Sequence, residues 1–312
     1  MGAALTHSRL SLSSRQYRVA FLGNASSTTE GELVEALRHG FRNLHYSDRD
    51  LTIDARWAEG NNERLPSLAA ELVRGQPDVI ITGGTPGTLA AKGATSTIPI
   101  VMVGVGDPVA TGLIRELSKP GGNVTGIATL ARELEGKRLE LLRELAPQAS
   151  RIAVLMNPAN PFSPVAYQGM RSAVEKLGVH LVPMEVRSTA ELGPALTAVR
   201  GNADGMIMIA DRMLLANRNA IAEAALAQKL PTVFPFADCV RAGGLLSYAP
   251  NYLDLYQRAA VIADKVFKGA NVGELPVEQP TQLELVLNVK TANMLGLVVP
   301  KSLLLRADEL IQ

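Results

Sequence analysis

Short apolar bursts alternate with amphipathic stretches along most of the chain, the pattern of parallel strands joined by crossover helices. Tyr17–Leu22 is the first burst and stops at Gly23-Asn24-Ala25-Ser26. Glu30–Leu44 follows, with Leu33, Leu37, Phe41 and Leu44 at helical spacing. Leu51–Trp57 alternates as a second strand, and Asn61 or Asn62 caps a helix that runs to Arg74 and ends at Gly75 and Pro77. Asp78–Thr82 predicts a third strand, Thr85–Thr95 a helix and Pro99–Val105 a fourth strand. Val109–Leu117 predicts a short helix, and Asn123–Ala128 a strand leaving this half of the chain.

The second half runs through the same alternation. Strands are predicted at Arg151–Met156, His180–Val186, Gly205–Ala210, Thr232–Pro235 and Gly244–Tyr248, and helices at Glu133–Leu145, Pro164–Leu177, Ala190–Arg200 and Asn217–Gln228. Landmarks recur between the halves. Arg18-Val19-Ala20-Phe21-Leu22 pairs with Arg151-Ile152-Ala153-Val154-Leu155, 133 positions on, and Asp78 with Asp204, 126 positions on. Ile98-Pro99 matches Leu230-Pro231, and Gly112-Leu113 matches Gly244-Leu245 with its preceding Gly243. A near-constant offset across four landmarks points to one α/β unit present twice. Two similar lobes make a cleft, and a cleft is where a ligand goes.

The tail adds no third domain. Leu253–Lys268 is an amphipathic helix ended by Gly269, and Glu274–Pro280 is an extended connector held out of helix by Pro276 and Pro280. Leu283–Asn288 predicts a strand and Thr291–Leu295 a short helix ended by Gly296. The economical arrangement is α/β: two similar doubly wound, Rossmann-like lobes with parallel sheets. Residues 17–126 plus 249–278 form lobe one, 127–248 plus 279–312 form lobe two, and 1–16 read as a disordered leader. This requires three crossings, near Gly126, Tyr248 and Gln279, and a three-stranded hinge favours bending about one axis.

Composition removes several functions. The 312 residues carry a net charge of +1, which gives no basic field for nucleic acid. Aromatics make up 4% with one tryptophan, too few for base-stacking platforms. The four histidines form no cluster and Cys239 is alone, so no internal disulfide or cysteine-based zinc site is available. No metal and no cofactor is called for. There is no Gly-x-Gly-x-x-Gly after the first strand, no phosphate loop and no nucleophile elbow, which argues against an enzyme. Glu133 and Glu135 read as a solvated pair on the polar side of their helix. No apolar run of ~18 residues is present to span a membrane.

Ligands of open α/β sheets sit beyond the carboxyl ends of the strands. The turns to consider are Asn24-Ala25-Ser26, Gly83-Gly84-Thr85, Gly106-Asp107-Pro108, Asn157-Pro158-Ala159-Asn160, Asp211-Arg212 and Phe236-Ala237-Asp238. In Thr82-Gly83-Gly84-Thr85-Pro86-Gly87, two glycines admit a ligand close to the backbone. Thr85 as N-cap and Pro86 at the first helical position leave N–H groups for an anion. The same residues read equally as a well-capped turn. Asp211 suits the ammonium of a zwitterion facing Thr85, and suits a helix cap as well. Asn160 offers both donor and acceptor but sits in ordinary turn chemistry, Asp107 reads as a cap, and Phe236 packs on a ligand or in a core.

Several longer stretches carry a family resemblance. They include Asp107-Pro108-Val109 with Gly112-Leu113, Lys119-Pro120-Gly121-Gly122-Asn123-Val124-Thr125-Gly126 and Lys137-Arg138-Leu139-Glu140-Leu141-Leu142. Ala242-Gly243-Gly244-Leu245-Leu246-Ser247-Tyr248, Leu275-Pro276-Val277-Glu278-Gln279-Pro280 and Arg306-Ala307-Asp308-Glu309 extend it, so that it covers Tyr17 to Gln312. The chain resembles the solute-binding components of ABC transporters of the tryptophan/tyrosine type. The resemblance implies a type I periplasmic-binding-protein fold, monomeric, that captures an amino-acid-like or aromatic solute by hinge closure and delivers it to an ABC permease. Carried over by position, it implies Ser26, Thr85, Asp107, Asn160, Asp211 and Phe236 as cleft residues. Such proteins begin with an export or lipoprotein signal, whereas Met1–Gln16 lacks the apolar core of one. A start assigned too late puts the protein in the periplasm or envelope. A true start leaves a cytoplasmic ligand sensor of the same fold, although the leader has no room for a helix-turn-helix. A small-molecule enzyme on the same scaffold is the third alternative.

Overall fold

The computed structural model describes residues 16–129 and 131–312; the leader, up to residue 15, lies outside the described residues. The first sheet contains β1 (Tyr17–Gly23), β2 (Leu51–Trp57), β3 (Val79–Gly83), β4 (Ile100–Val105) and β5 (Val124–Ala128), in the order β2-β1-β3-β4-β5 and all parallel. The second contains β6 (Arg151–Met156), β7 (His180–Glu185), β8 (Gly205–Met208), β9 (Thr232–Phe234), β10 (Leu246–Ala249), β11 (Glu284–Asn288) and β12 (Glu309–Ile311). Its order is β12-β11-β10-β9-β8-β6-β7. The run β7-β6-β8-β9-β10 repeats the order of the first sheet, so the duplication read from sequence is a duplication of topology.

Each central strand is buried on both faces, which is why it reads as a continuous apolar run. Val19 and Phe21 of β1 join Val79 and Ile81 of β3 on one face, while Ala20, Leu22 and Ile80 face the opposite core. In the second sheet Ile152 and Val154 point one way and Ala153 and Leu155 the other.

The repeated landmarks perform the same task in both lobes. The Asp78 carboxylate accepts the backbone N–H of Arg18 at 2.8 Å, and the Asp204 carboxylate accepts that of Arg151 at 2.9 Å. The Pro99 carbonyl accepts Ile80 N–H and the Pro231 carbonyl accepts Met206 N–H, each at 2.8 Å. Each device satisfies a strand's backbone near its amino end, where the ladder runs out of partners.

The chain passes between the sheets three times: after Ala128, between Ala249 and Tyr252, and between Glu278 and Glu284. Gly126 is thus inside β5, two residues before the first crossing. Glu278 lies beside that crossing, exchanging backbone hydrogen bonds with Gly126 and Ala128 at 2.9 Å. Its carboxylate receives Arg258 from helix Tyr252–Phe267 at 2.7 Å. That helix packs on helix Ser27–Asn43 of the first lobe. Re-entry through the third crossing makes β11 antiparallel to β10, the exception in otherwise parallel pairing.

Some local expectations fail for identifiable reasons. Val109–Leu117 forms turns instead of a helix. Gly112 sits at φ +71°, and Lys92 Nζ holds the Gly112 and Leu113 carbonyls that a helix would need. Thr85 is not an N-cap, because helix Gly84–Ala94 begins one residue earlier and Gly83 occupies the cap. Glu135 is fully buried rather than solvated. Arg138, one turn on, donates to it at 2.7 Å and to the Tyr248 carbonyl at 2.9 Å, tying the first crossing to the second. Burial raises the Glu135 carboxyl above the usual range, with Arg138 opposing. The Glu133 side chain lies outside the described residues. Helices Arg212–Ala216, Ala237–Arg241 and Lys301–Arg306, together with β12, are too short for periodicity to reveal.

Candidate ligand-binding cleft

The carboxyl ends of the two sheets face one another across a cavity of about 30 Å³, room for a water or two. From the first lobe its wall takes Asn24 after β1, Gly84 and Thr85 after β3, Gly104 and Gly106 at the end of β4, and Thr129 after β5. The second lobe supplies Asn160 and Phe162 after β6, Asp211 and Arg212 after β8, and Phe236 after β9. Tyr252, at the second crossing, closes the ring. The lobes are closed on each other.

Of the sequence-predicted residues, the structure brings together Thr85, Asn160, Asp211 and Phe236. Ser26 and Asp107 lie outside this wall. Ser26 caps helix Ser27–Asn43, its Oγ accepting Thr29 N–H at 3.3 Å, and Asp107 Oδ1 accepts Ala110 N–H at 2.9 Å in the turn after β4.

Asp211 is a cap with a further task. Its Oδ1 accepts Met213 and Leu214 N–H at 2.9 and 3.2 Å, while Oδ2 accepts the Asn160 and Asn157 amides at 3.0 and 3.3 Å. A carboxylate has about four acceptor positions, and protein donors use all of them. Burial pushes the carboxyl up, opposed by Asn160, the two backbone N–H groups and Asn157. Asp211→Asn would set its own amide against two amide donors. The variant is expected to lose about 1.5–3 kcal/mol of stability, read as a lower melting temperature by calorimetry. An unchanged melting temperature would remove this structural role.

Sequence reasoning placed Arg212 in a strand-end turn without giving it a role, and missed Phe162 and Tyr252. Arg212 is buried, with its guanidinium carbon 4.8 Å from the Tyr252 ring centre and 5.3 Å from that of Phe236. Its Nε lies 3.6 Å from Glu30 Oε1, so it reaches across the cleft to the first lobe. One signal was available: a cation in the first turn of a helix opposes the helix dipole, which implies a stronger partner elsewhere.

Residues 21–311 match the profile of the family described as ABC transporter substrate binding protein. The chain belongs to that family. It is 29% identical over 253 residues to a tyrosine-binding protein of Clostridioides difficile (strain R20291), covering 81% of this chain and 73% of that one. A solved domain from Streptococcus pneumonia in complex with L-Trp superposes with a TM-score of 0.88 at 25% identity, covering 95% of this chain and all of the other. A conserved domain protein from Vibrio cholerae O1 biovar El Tor gives a TM-score of 0.90 at 26% identity with the same coverage. The fold is that of the type I periplasmic binding proteins, in agreement with the two-lobe reading. Among the described residues, no helix of this substrate-binding protein is long and apolar enough to cross a membrane.

Proposed function

We propose that this substrate-binding protein captures a small aromatic amino acid or related aromatic acid between its lobes and hands it to an ABC permease. It does so as a monomer, outside the inner membrane, and returns the ligand chemically unchanged. One observation carries the reading. Three rings, Phe162, Phe236 and Tyr252, share a closed interlobe wall with the polar side chains of Asn24, Thr85, Asn160 and Arg212. Apolar surface with a few convergent polar groups suits a ligand having a ring at one end and charge at the other, and the lobes part to admit it because the cavity between them now holds no more than a water or two. The tyrosine-binding relative and the L-Trp complex support that choice of class. Thr85, Asn160 and Phe236 are proposed as direct contacts, and Asp211 as the group that fixes Asn160.

A thermal-shift panel of amino acids and aromatic acids tests it, on protein unfolded and refolded to remove any carried ligand. Ligand at 100 times its dissociation constant adds about 2.7 kcal/mol of stability, so at least one aromatic compound is expected to raise the melting temperature clearly. Stabilisation by none of them would overturn the reading. Recovery of the native protein from the envelope fraction, and of the ligand unaltered after incubation, test its location and its lack of turnover.

A further inference from the structure

Two residues of the cavity wall, Arg212 and Asn24, and two that do not line it, Tyr256 and Glu30, each have a buried polar atom with no hydrogen-bond partner within the protein: Nη2, Oδ1, Oη and Oε1 respectively. These residues are at most 6% exposed, so bulk solvent does not reach them. Such groups are uncommon in native interiors because each carries a desolvation cost without return.

Two of these atoms meet. A side-chain carbon placed on Gly83 would lie 3.3 Å from Arg212 Nη2 and would overlap the Tyr256 hydroxyl. Both donors therefore meet beside Gly83, where helix Gly84–Ala94 starts and its free N–H groups begin. Tyr252 and Phe236 pack against the guanidinium from one side, their ring centres 5.1 Å apart, and Glu30 stands at its Nε edge. Glu30 is itself fixed, its Oε2 accepting Ala25 N–H at 3.1 Å. The unpartnered Nη2, the phenol hydroxyl and a helix amino end therefore stand together, all donors. Planar guanidinium edges pair with carboxylates.

We infer that Arg212 is the carboxylate anchor of the site: its Nη2 edge, with the Tyr256 hydroxyl, takes the carboxylate of the ligand when the lobes close. Glu30 is a positioning residue that aims the guanidinium. Asn24 Oδ1, in the same wall, accepts from an ammonium group. The inference rests on the aromatic-amino-acid reading above and specifies which end of that ligand is recognised and by what.

Calorimetric titration of the full chain with L-tyrosine, tyramine, L-tryptophan and tryptamine tests it, because each amine keeps the ring and ammonium and lacks the carboxylate. The wild type is expected to prefer the acids by roughly 10- to 100-fold, the loss that follows removal of a hydrogen bond to a charged group. Arg212→Met is expected to bring that preference close to one. Because it leaves Glu30 buried and alone, the paired variant Glu30→Gln/Arg212→Met is measured beside it. Tyr256→Phe removes an unpartnered hydroxyl. It is expected to melt no lower than the wild type while binding the acids several-fold more weakly, a combination that a packing role alone would not give. If the wild type binds acid and amine equally, or if folded Arg212 and Tyr256 variants keep the full acid preference, the anchor is wrong and the ligand class stands. If the wild type binds none of the four compounds, the ligand class itself fails.

Discussion

Gly106→Val is expected to leave both lobes folded and to weaken ligand binding by about 100-fold or more. Gly106 directly follows β4 in the first lobe, and the three nearest atoms to a side-chain carbon placed there all belong to the Phe162 ring of the second. Two of them, Cδ2 and Cζ, would lie at 2.5 Å. Gly106 is not among the left-handed glycines, so a positive φ does not bar valine there. The nearest obstacle is the Phe162 ring, itself buried in the second lobe, and the lobes are expected to separate to relieve the overlap. A ligand that binds the closed form then sees its apparent affinity fall by the fraction still closed, so a closed population of about 1% gives about 100-fold. Small-angle scattering of ligand-saturated protein separates this from a general loss of structure. The wild type should contract relative to its open form, and the variant should keep the larger radius of gyration with an unaltered melting temperature. A variant that binds like the wild type and contracts with it would show that closure does not bring Phe162 onto Gly106.

The fold was legible because the features that repeat are the ones that build strands. Asp78 and Asp204 accept the same backbone N–H in their two lobes, and Pro99 and Pro231 offer the same carbonyl. All four sit at the amino ends of the sheets, away from the cleft. At the carboxyl ends the lobes diverge. Gly83-Gly84-Thr85 follows β3, whereas Ala210-Asp211-Arg212 follows the equivalent β8, so the repeat gives no help with the site. Strand-end position alone found Thr85, Asn160, Asp211 and Phe236, and equally Ser26, which caps a helix, and Asp107, which holds a turn, both outside the wall.

Glu30 and Tyr256 were beyond that reading for a different reason, and the turn that holds Arg212 did not show what Arg212 meets. Glu30 looks like an acid in the first turn of a helix, where it complements the dipole. Tyr256 looks like one more apolar position on the buried face of helix Tyr252–Phe267. Each local explanation is adequate, and neither mentions the other residue. They meet only because that helix returns to the first lobe through the second crossing and because the closed cleft carries Arg212 across. Periodicity reports which face of an element is buried, and the partner across that face depends on the path of the chain.

Gly126→Ala is expected to be the most destabilising single-carbon change in the protein, costing more than about 4 kcal/mol. Gly126 lies in β5 opposite Met102 of β4, at φ +139°, a conformation that side-chain-bearing residues rarely adopt. A carbon added there would overlap the Met102 carbonyl oxygen and lie 2.6 Å from its nitrogen. These are backbone atoms of a neighbouring strand, and relief requires parting β5 from β4. The same movement would pull Gly126 and Ala128 away from Glu278, undoing the pairing of the first and third crossings. The damage should therefore reach the hinge as well as the sheet. Urea denaturation followed by circular dichroism measures the loss, with Gly31→Ala as the control. Gly31 lies within helix Ser27–Asn43 with nothing near its added carbon, and alanine there should stabilise by about 0.4–1 kcal/mol. A Gly126→Ala protein with a wild-type midpoint would mean that β4 and β5 can separate at no cost, and that the hinge does not depend on their contact.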